Sequence, residues 1–149
     1  NKDVSRPIRR FLWKALQKIL KIGTFGEKLG PQCAMRGECP HCKVAETMMH
    51  ILIDCQIKGC ATLWSLTQEL WEKTGKEWVR PSYGIALGAT LVQIKMPEVC
   101  VDRGATRLYR ILMTEAVRFI WKIRCRRCMQ RGDDDPANRT RESKLERTD

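Results

Sequence analysis

The sequence predicts a mainly α-helical fold, a small domain of about four helices, and three observations predict it. The chain has 149 residues, of which 43% are apolar, the size of one domain with one modest core. Apolar residues recur at three- and four-residue steps in separate stretches, the period of a helix with one buried face. Four cysteine and histidine residues follow the pattern C-x2-C-x7-H-x4-C, the spacing of a single structural zinc site.

The first helix is expected over about residues 6–22. Ile8, Phe11, Leu12, Ala15, Leu16, Ile19 and Ile22 form its apolar stripe, and Arg10, Lys14, Lys18 and Lys21 follow the same spacing on the other side. Ser5 suits its cap, Pro7 its first turn and Gly23 its end. Gly26 to Gly37 reads as a loop, marked by Gly30 and Pro31. A short helix follows over about Thr47 to Asp54, and a longer one over Thr62 to Lys73. In the longer one Leu63, Leu66 and Leu70 form a stripe, Trp64 and Trp71 lie a heptad apart, and Gly75 closes it. Pro81, Gly84, Gly88 and Pro97 break residues 78–102 into loops with one short helix or strand. The last helix is expected over about 105–130. Its core face is Leu108, Leu112, Ala116, Phe119 and Ile123, widened by Tyr109, Met113 and Ile120; Gly132 and Asp133 to Asp135 stop it. Residues 1–131 thus form the domain, with the zinc segment at about 31–60, and 132–149 read as a polar, disordered tail.

Eight cysteines call for a chemical reason. The chain begins at Asn1 without a signal-peptide apolar region, and it reads as a segment of a longer, intracellular protein. In a reducing compartment, clustered Cys and His favour a metal over disulfides. Cys39, Cys42, His50 and Cys55 supply three thiolates and one imidazole, a full tetrahedral set for zinc, leaving no open position for catalysis. His41, between two ligands, has to point away. Cys33 and Cys60 flank a site that has no room for a fifth thiolate. Cys125 and Cys128 read as packed free thiols in a helix, with a second metal site recruiting Cys100 as the weaker alternative.

The net charge of +11 favours a polyanionic partner. Residues 1–30 carry eight Lys or Arg against two acids, and residues 103–131 carry nine against one. Two basic helices on one small domain form a phosphate-tracking surface if they lie side by side. The residues that would make it are Arg10, Lys14, Lys18 and Lys21 on the first and Arg107, Arg110, Arg118, Lys122 and Arg126 on the last. A 100° step places Trp121 within the second stripe, away from the core, where it could stack on an unpaired base. The competing reading packs Trp121 on the first helix. No stretch of eighteen apolar residues suits a membrane span, no clustered carboxylates suit a ribonuclease H or nuclease, no paired nucleophile and base suits other catalysis, and no small-molecule substrate is expected. The alternative function is protein docking through a patch of Trp64, Trp71 and Trp78, unless those residues fill the core.

Taken together, Cys39-Pro-His-Cys42, Glu46-Thr47, His50-Ile51-Leu52, Cys55 and Leu63-Trp64 resemble the zinc-binding domain of reverse transcriptases from LINE-type, non-LTR retrotransposons. Phe11-Leu12-Trp13 is similar to that family's leading Trp-containing segment. Phe119-Ile120-Trp121-Lys122-Ile123-Arg124 is similar to its closing helix, with Cys125 standing where many members have Asn. The resemblance spans about residues 8–128. It implies a non-catalytic accessory module near the C-terminal end of a polyprotein whose polymerase, sometimes with an RNase H domain, lies upstream. Its implied partners are template RNA, target DNA and the other domains of the same polyprotein, in a ribonucleoprotein of the nucleus and cytoplasm.

Overall fold

The computed structural model of the chain describes residues 2–25, 28, 37–97 and 100–133. These are mainly helical, as the periodicity predicts. The α-helices are α1 (Arg6–Leu16), α2 (Lys58–Glu72), α3 (Tyr83–Gly88) and α4 (Arg103–Asp133). Short 3-10 turns occupy Gly23–Phe25 and Ala89–Leu91, and a π-helical turn occupies His50–Asp54. Among the described residues the only β pairings are the isolated bridges Glu38–Ala45 and Lys95–Val101. No helix in the described residues is long and apolar enough to cross a membrane.

The spine is α4, whose 31 residues extend about 46 Å at the rise of an α-helix. Every other α-helix and the π turn pack against it. Asp102 starts it by accepting the Ala105 N–H on its side chain at 2.9 Å, and Lys76 pairs with the same carboxylate at 3.2 Å. Its buried face is Ala105, Tyr109, Met113, Ala116, Val117 and Ile120. That corrects the predicted face by a rotation: Leu108, Leu112 and Ile123 lie at its margin, and Phe119 is about half exposed, at 49%. Two neighbours crowd α4 from different sides, so one apolar stripe centred on Leu108 could not serve both. The helix backbone also continues through Gly132 and Asp133, the residues expected to stop it.

Against α4, α2 buries Cys60, Trp64, Thr67 and Trp71, with Trp71 set edge-on to Tyr109 at 5.1 Å between ring centroids. Trp64 and Trp71 therefore fill the core, with Trp78 partly buried against it, and the three do not form a surface patch, while Leu66 and Leu70 of the predicted stripe face outward. Indole burial outweighs leucine burial because each ring removes more apolar surface from water. Helix α2 starts four residues before the expected Thr62. In the stretch without a clear period, α3 begins where the Ser82 hydroxyl accepts the Ile85 N–H at 3.3 Å.

Ser5, with extended backbone, precedes α1, and Pro7 sits in its first turn as predicted. Ile8, Phe11, Leu12 and Ala15 are buried. The helix stops at Leu16, not near Ile22. Lys18 adopts a left-handed φ of 54°, its N–H bonds Ala15 O, and the Ile19 N–H reaches back to Lys14 O. This is a Schellman ending with lysine where glycine is usual. Leu16 and Ile19 are exposed, while Leu20 and Ile22 pack on the core from the turn that follows. Gly23, at φ 58°, then lies so close to the segment that follows Cys39 and Cys42 that a Cβ would come 3.0 Å from Glu46 O. Cys33, the loop residues Gly26, Gly30 and Pro31, and the tail from 134 lie outside the described residues.

Candidate metal centre and basic face

Residues 38–46 fold as a knuckle. The Cys39 N–H bonds Val44 O at 2.8 Å, and the Lys43 N–H returns to Cys39 O at 2.8 Å, with Lys43 left-handed at φ 57°. The hairpin turns Cys39 and Cys42 toward one point. After it, the Thr47 hydroxyl accepts the His50 N–H at 3.1 Å and fixes the start of the next turn. The Cys55 N–H then bonds His50 O at 2.8 Å, an i to i+5 closure that brings Cys55 back over His50. A π turn leaves backbone acceptors without their helical donors. Trp64 Nε1 donates to Leu52 O at 3.0 Å, and Arg80 donates to Ile53 O at 2.9 Å.

The predicted ligand atoms of Cys39, Cys42, His50 and Cys55 converge, all within 4.8 Å of one another. Cys39 Sγ and Cys55 Sγ lie 3.9 Å apart, close to the edge of a tetrahedron with metal–sulfur bonds of about 2.3 Å. His50 Nε2 is buried with no hydrogen-bond partner, an orphaned lone pair that a metal would satisfy. The Gln56 N–H points at Cys42 Sγ from 3.4 Å, a contact that favours a thiolate. The electrostatics are uneven. Burial opposes charge on Cys39, yet the backbone N–H of Cys42, the contact with His50 and the N–H of His41 hold its thiol down at about 6. Burial, together with the charge on Cys39, pushes Cys55 up to about 12. A metal held by this set would be bound by deprotonated sulfurs, and the Cys55 proton would leave to solvent as the bond to the metal forms.

His41 is exposed and takes no part, as its place between two ligands requires. Cys60 is buried in the first turn of α2, and burial pushes its thiol up. Cys125 and Cys128 are half-buried, less fully packed than the sequence predicts, and Cys100 is exposed. Among the described residues no second metal cluster gathers round them.

Glu46, between the knuckle and the π turn, is 1% exposed. Its carboxylate accepts from Arg124 Nε at 3.1 Å and from the terminal nitrogens of Arg124 and Arg127. Burial works against the Arg124 charge, but Glu46 more than offsets this and holds the guanidinium above its usual range. Glu46 and Arg124 fall within the motifs that carry the family resemblance, but nothing in the residue order assigns either a role or joins them to Arg127. The one signal is that Arg124 and Arg127 continue the line of Ile120 and Ile123 along the buried side of the last helix.

The two basic helices do lie side by side. Asp3, three residues before α1, pairs with Arg107 Nε at 3.1 Å; farther along the chain and along α4, Phe11 meets Trp121 at 5.5 Å and Arg118 lies 5.5 Å over the Phe11 ring. The contacts advance together, so α1 and α4 run in the same sense. Arg10 and Lys14 on α1 and Lys122 and Arg126 on α4 are exposed. Lys18 and Lys21 are also exposed, but on the turn beyond α1. Arg110 is half-buried, and its Nε donates to Val92 O at 3.0 Å. Trp121 does not stand free in the stripe. It packs between Phe11 and the Arg124 guanidinium, 5.3 Å from its ring.

In comparisons with known proteins, no family model, no curated sequence and no solved structure matches this chain.

Proposed function

We propose that this chain is a zinc-organised, non-catalytic module that holds RNA or DNA, an accessory part of a LINE-type reverse-transcriptase polyprotein. The observation that carries the binding half is the packing of α1 on α4 through Phe11, Trp121 and Arg118, with Arg10 and Lys14 exposed on one helix and Lys122 and Arg126 exposed on the other. Charges so arranged displace counterions from a phosphate chain without reading sequence. Zinc is the metal that three thiolates and one imidazole favour, and with four protein ligands it organises the fold and does no chemistry. The polyprotein context rests on the motif resemblance alone.

The test is fluorescence anisotropy of the zinc-loaded chain with single-stranded RNA and with duplex DNA across a salt series, with metal content measured on the same sample. The expected result is one zinc per chain and a log–log salt plot that falls linearly. Replacing Arg118 and Lys122 with Gln should flatten its slope on duplex DNA by about 0.9 for each phosphate that the chain no longer neutralises. No binding at low salt would overturn the reading. A second reading, docking on the polymerase or RNase H domain, is favoured by Leu66 and Leu70, exposed one turn apart on the outer side of α2.

A further inference from the structure

On α1 the buried side is Ile8, Phe11, Leu12 and Ala15. A 100° step per residue puts Trp13 near the middle of the opposite side, with Arg9 and Arg10 a turn before it and Gln17 a turn after. Trp13 is 56% exposed. An indole facing water at the centre of a helix face forgoes a large burial energy, and the described residues give no structural reason for a ring there. Its surroundings do offer one. Arg6, Arg9, Arg10 and Lys14 are all exposed, and α1 contains no acidic residue. Leu16, exposed three residues on, extends the apolar surface beside the ring. The aromatic that the sequence placed in a basic stripe, Trp121, is committed to Phe11 and Arg124.

We infer that Trp13 is a stacking platform for an unpaired base, with Arg9, Arg10 and Lys14 holding the phosphates on either side. The occupant is single-stranded nucleic acid. A π-face within a cluster of cations matches a strand that alternates flat bases with anionic linkages, and stacking of this kind tolerates any base. This deepens the proposed nucleic-acid reading and rests on it. It also divides the labour: the α1–α4 cations suit any phosphate chain, and Trp13 distinguishes unpaired strands from duplex.

The experiment uses the full 149-residue chain loaded with zinc. The probes are oligouridylate and oligothymidylate of about twelve nucleotides and a duplex of the same length, read by anisotropy. Trp13→Ala should weaken both single-stranded probes on the order of ten- to a hundred-fold, leaving the salt slope and the duplex affinity unchanged. Trp13→Tyr should keep most of the affinity. Because Trp13 points outward, metal content and circular dichroism should match the parent chain. A readout that needs no variant is photocrosslinking: an iodouridine-substituted strand should leave its adduct on the peptide containing Trp13. Adducts only elsewhere would overturn the inference. So would a Trp13→Ala chain that keeps its single-strand affinity while Arg9→Gln/Arg10→Gln loses it, which would leave the broader reading standing. Equal losses on duplex and single strand would also overturn it. If the parent chain binds none of the probes at low salt, the reading and the inference fall together; an acidic protein surface would then be the occupant of this face.

Discussion

The Glu46 carboxylate and the Arg124 guanidinium, 78 residues apart in the chain, form a buried ion pair that fastens the metal-binding segment to the long helix. Arg127 approaches the same carboxylate at 3.5 Å, so one anion is shared between two cations. Such a pair contributes little net energy when made, but breaking one side strands a charge in a dry place.

Glu46→Gln should therefore cost about 3–5 kcal/mol in urea-induced unfolding, and a Glu46→Gln/Arg124→Met double variant should recover part of it. Additive losses in the double variant would show that the two residues do not act as a pair.

Cys42→Ser removes one of four ligands and the sulfur to which the Gln56 N–H points. Metal per chain should fall from about one toward zero, because structural zinc contributes on the order of 10 kcal/mol to modules of this kind. The helical signal of α4 should survive while residues 37–57 lose hydrogen-exchange protection. A variant with full metal content would refute the ligand assignment.

Lys18 and Gly23 both adopt left-handed backbone, and they should respond in opposite directions. Lys18→Gly relieves the strain of a side chain at a Schellman position and should raise stability by about 1 kcal/mol. Gly23→Ala adds that strain and presses a methyl on Glu46 O, costing about 1–2 kcal/mol or more. Thermal unfolding of the two variants checks both signs.

Asp102 supplies a pH dependence. The Ala105 N–H and Lys76 hold its carboxyl below the ordinary value of 3.8. A group depressed in the folded state adds stability that is present above its unfolded value and lost as pH falls through the folded one. Asp102→Asn should thus be less stable than the parent at neutral pH. The gap should close as the pH falls below about 3.8. A gap that persists in acid would mean that the carboxylate charge is not what matters.

Much of this is legible in residue order because it depends on short-range pattern. Ligand spacing locates the metal centre, and the apolar periods locate α1, α2 and α4. What escapes is set by neighbours distant in sequence. The face of α4 depends on where α1 and α2 land: Tyr109, Met113 and Ile120 turn inward as expected, but Phe119 turns outward and Val117, not foreseen, inward. Trp121 satisfies the rule for an exposed aromatic in a basic stripe until Phe11 arrives beside it. The early end of α1 is hidden because Leu16, Ile19 and Ile22 keep the helical period beyond the last helical residue. Glu46 enters the sequence reading only within the motif resemblance, since only the fold brings Arg124 and Arg127 over it.

The π turn between His50 and Cys55 has a consequence for how such a chain can vary. Its hydrogen bond spans five residues, so the interval is counted in whole residues, not in ångströms. Removing one residue from Ile51–Asp54 would let the turn relax into an ordinary α-helix. It would also swing the last cysteine round the helix axis and move Leu52 O and Ile53 O away from Trp64 and Arg80. The side chains between His50 and Cys55 can be exchanged for others of similar size, but their number cannot change. The four-residue gap acts as a ruler: a deletion or insertion within it is expected to pull Cys55 out of the Cys–His cluster and Leu52 O away from Trp64 together.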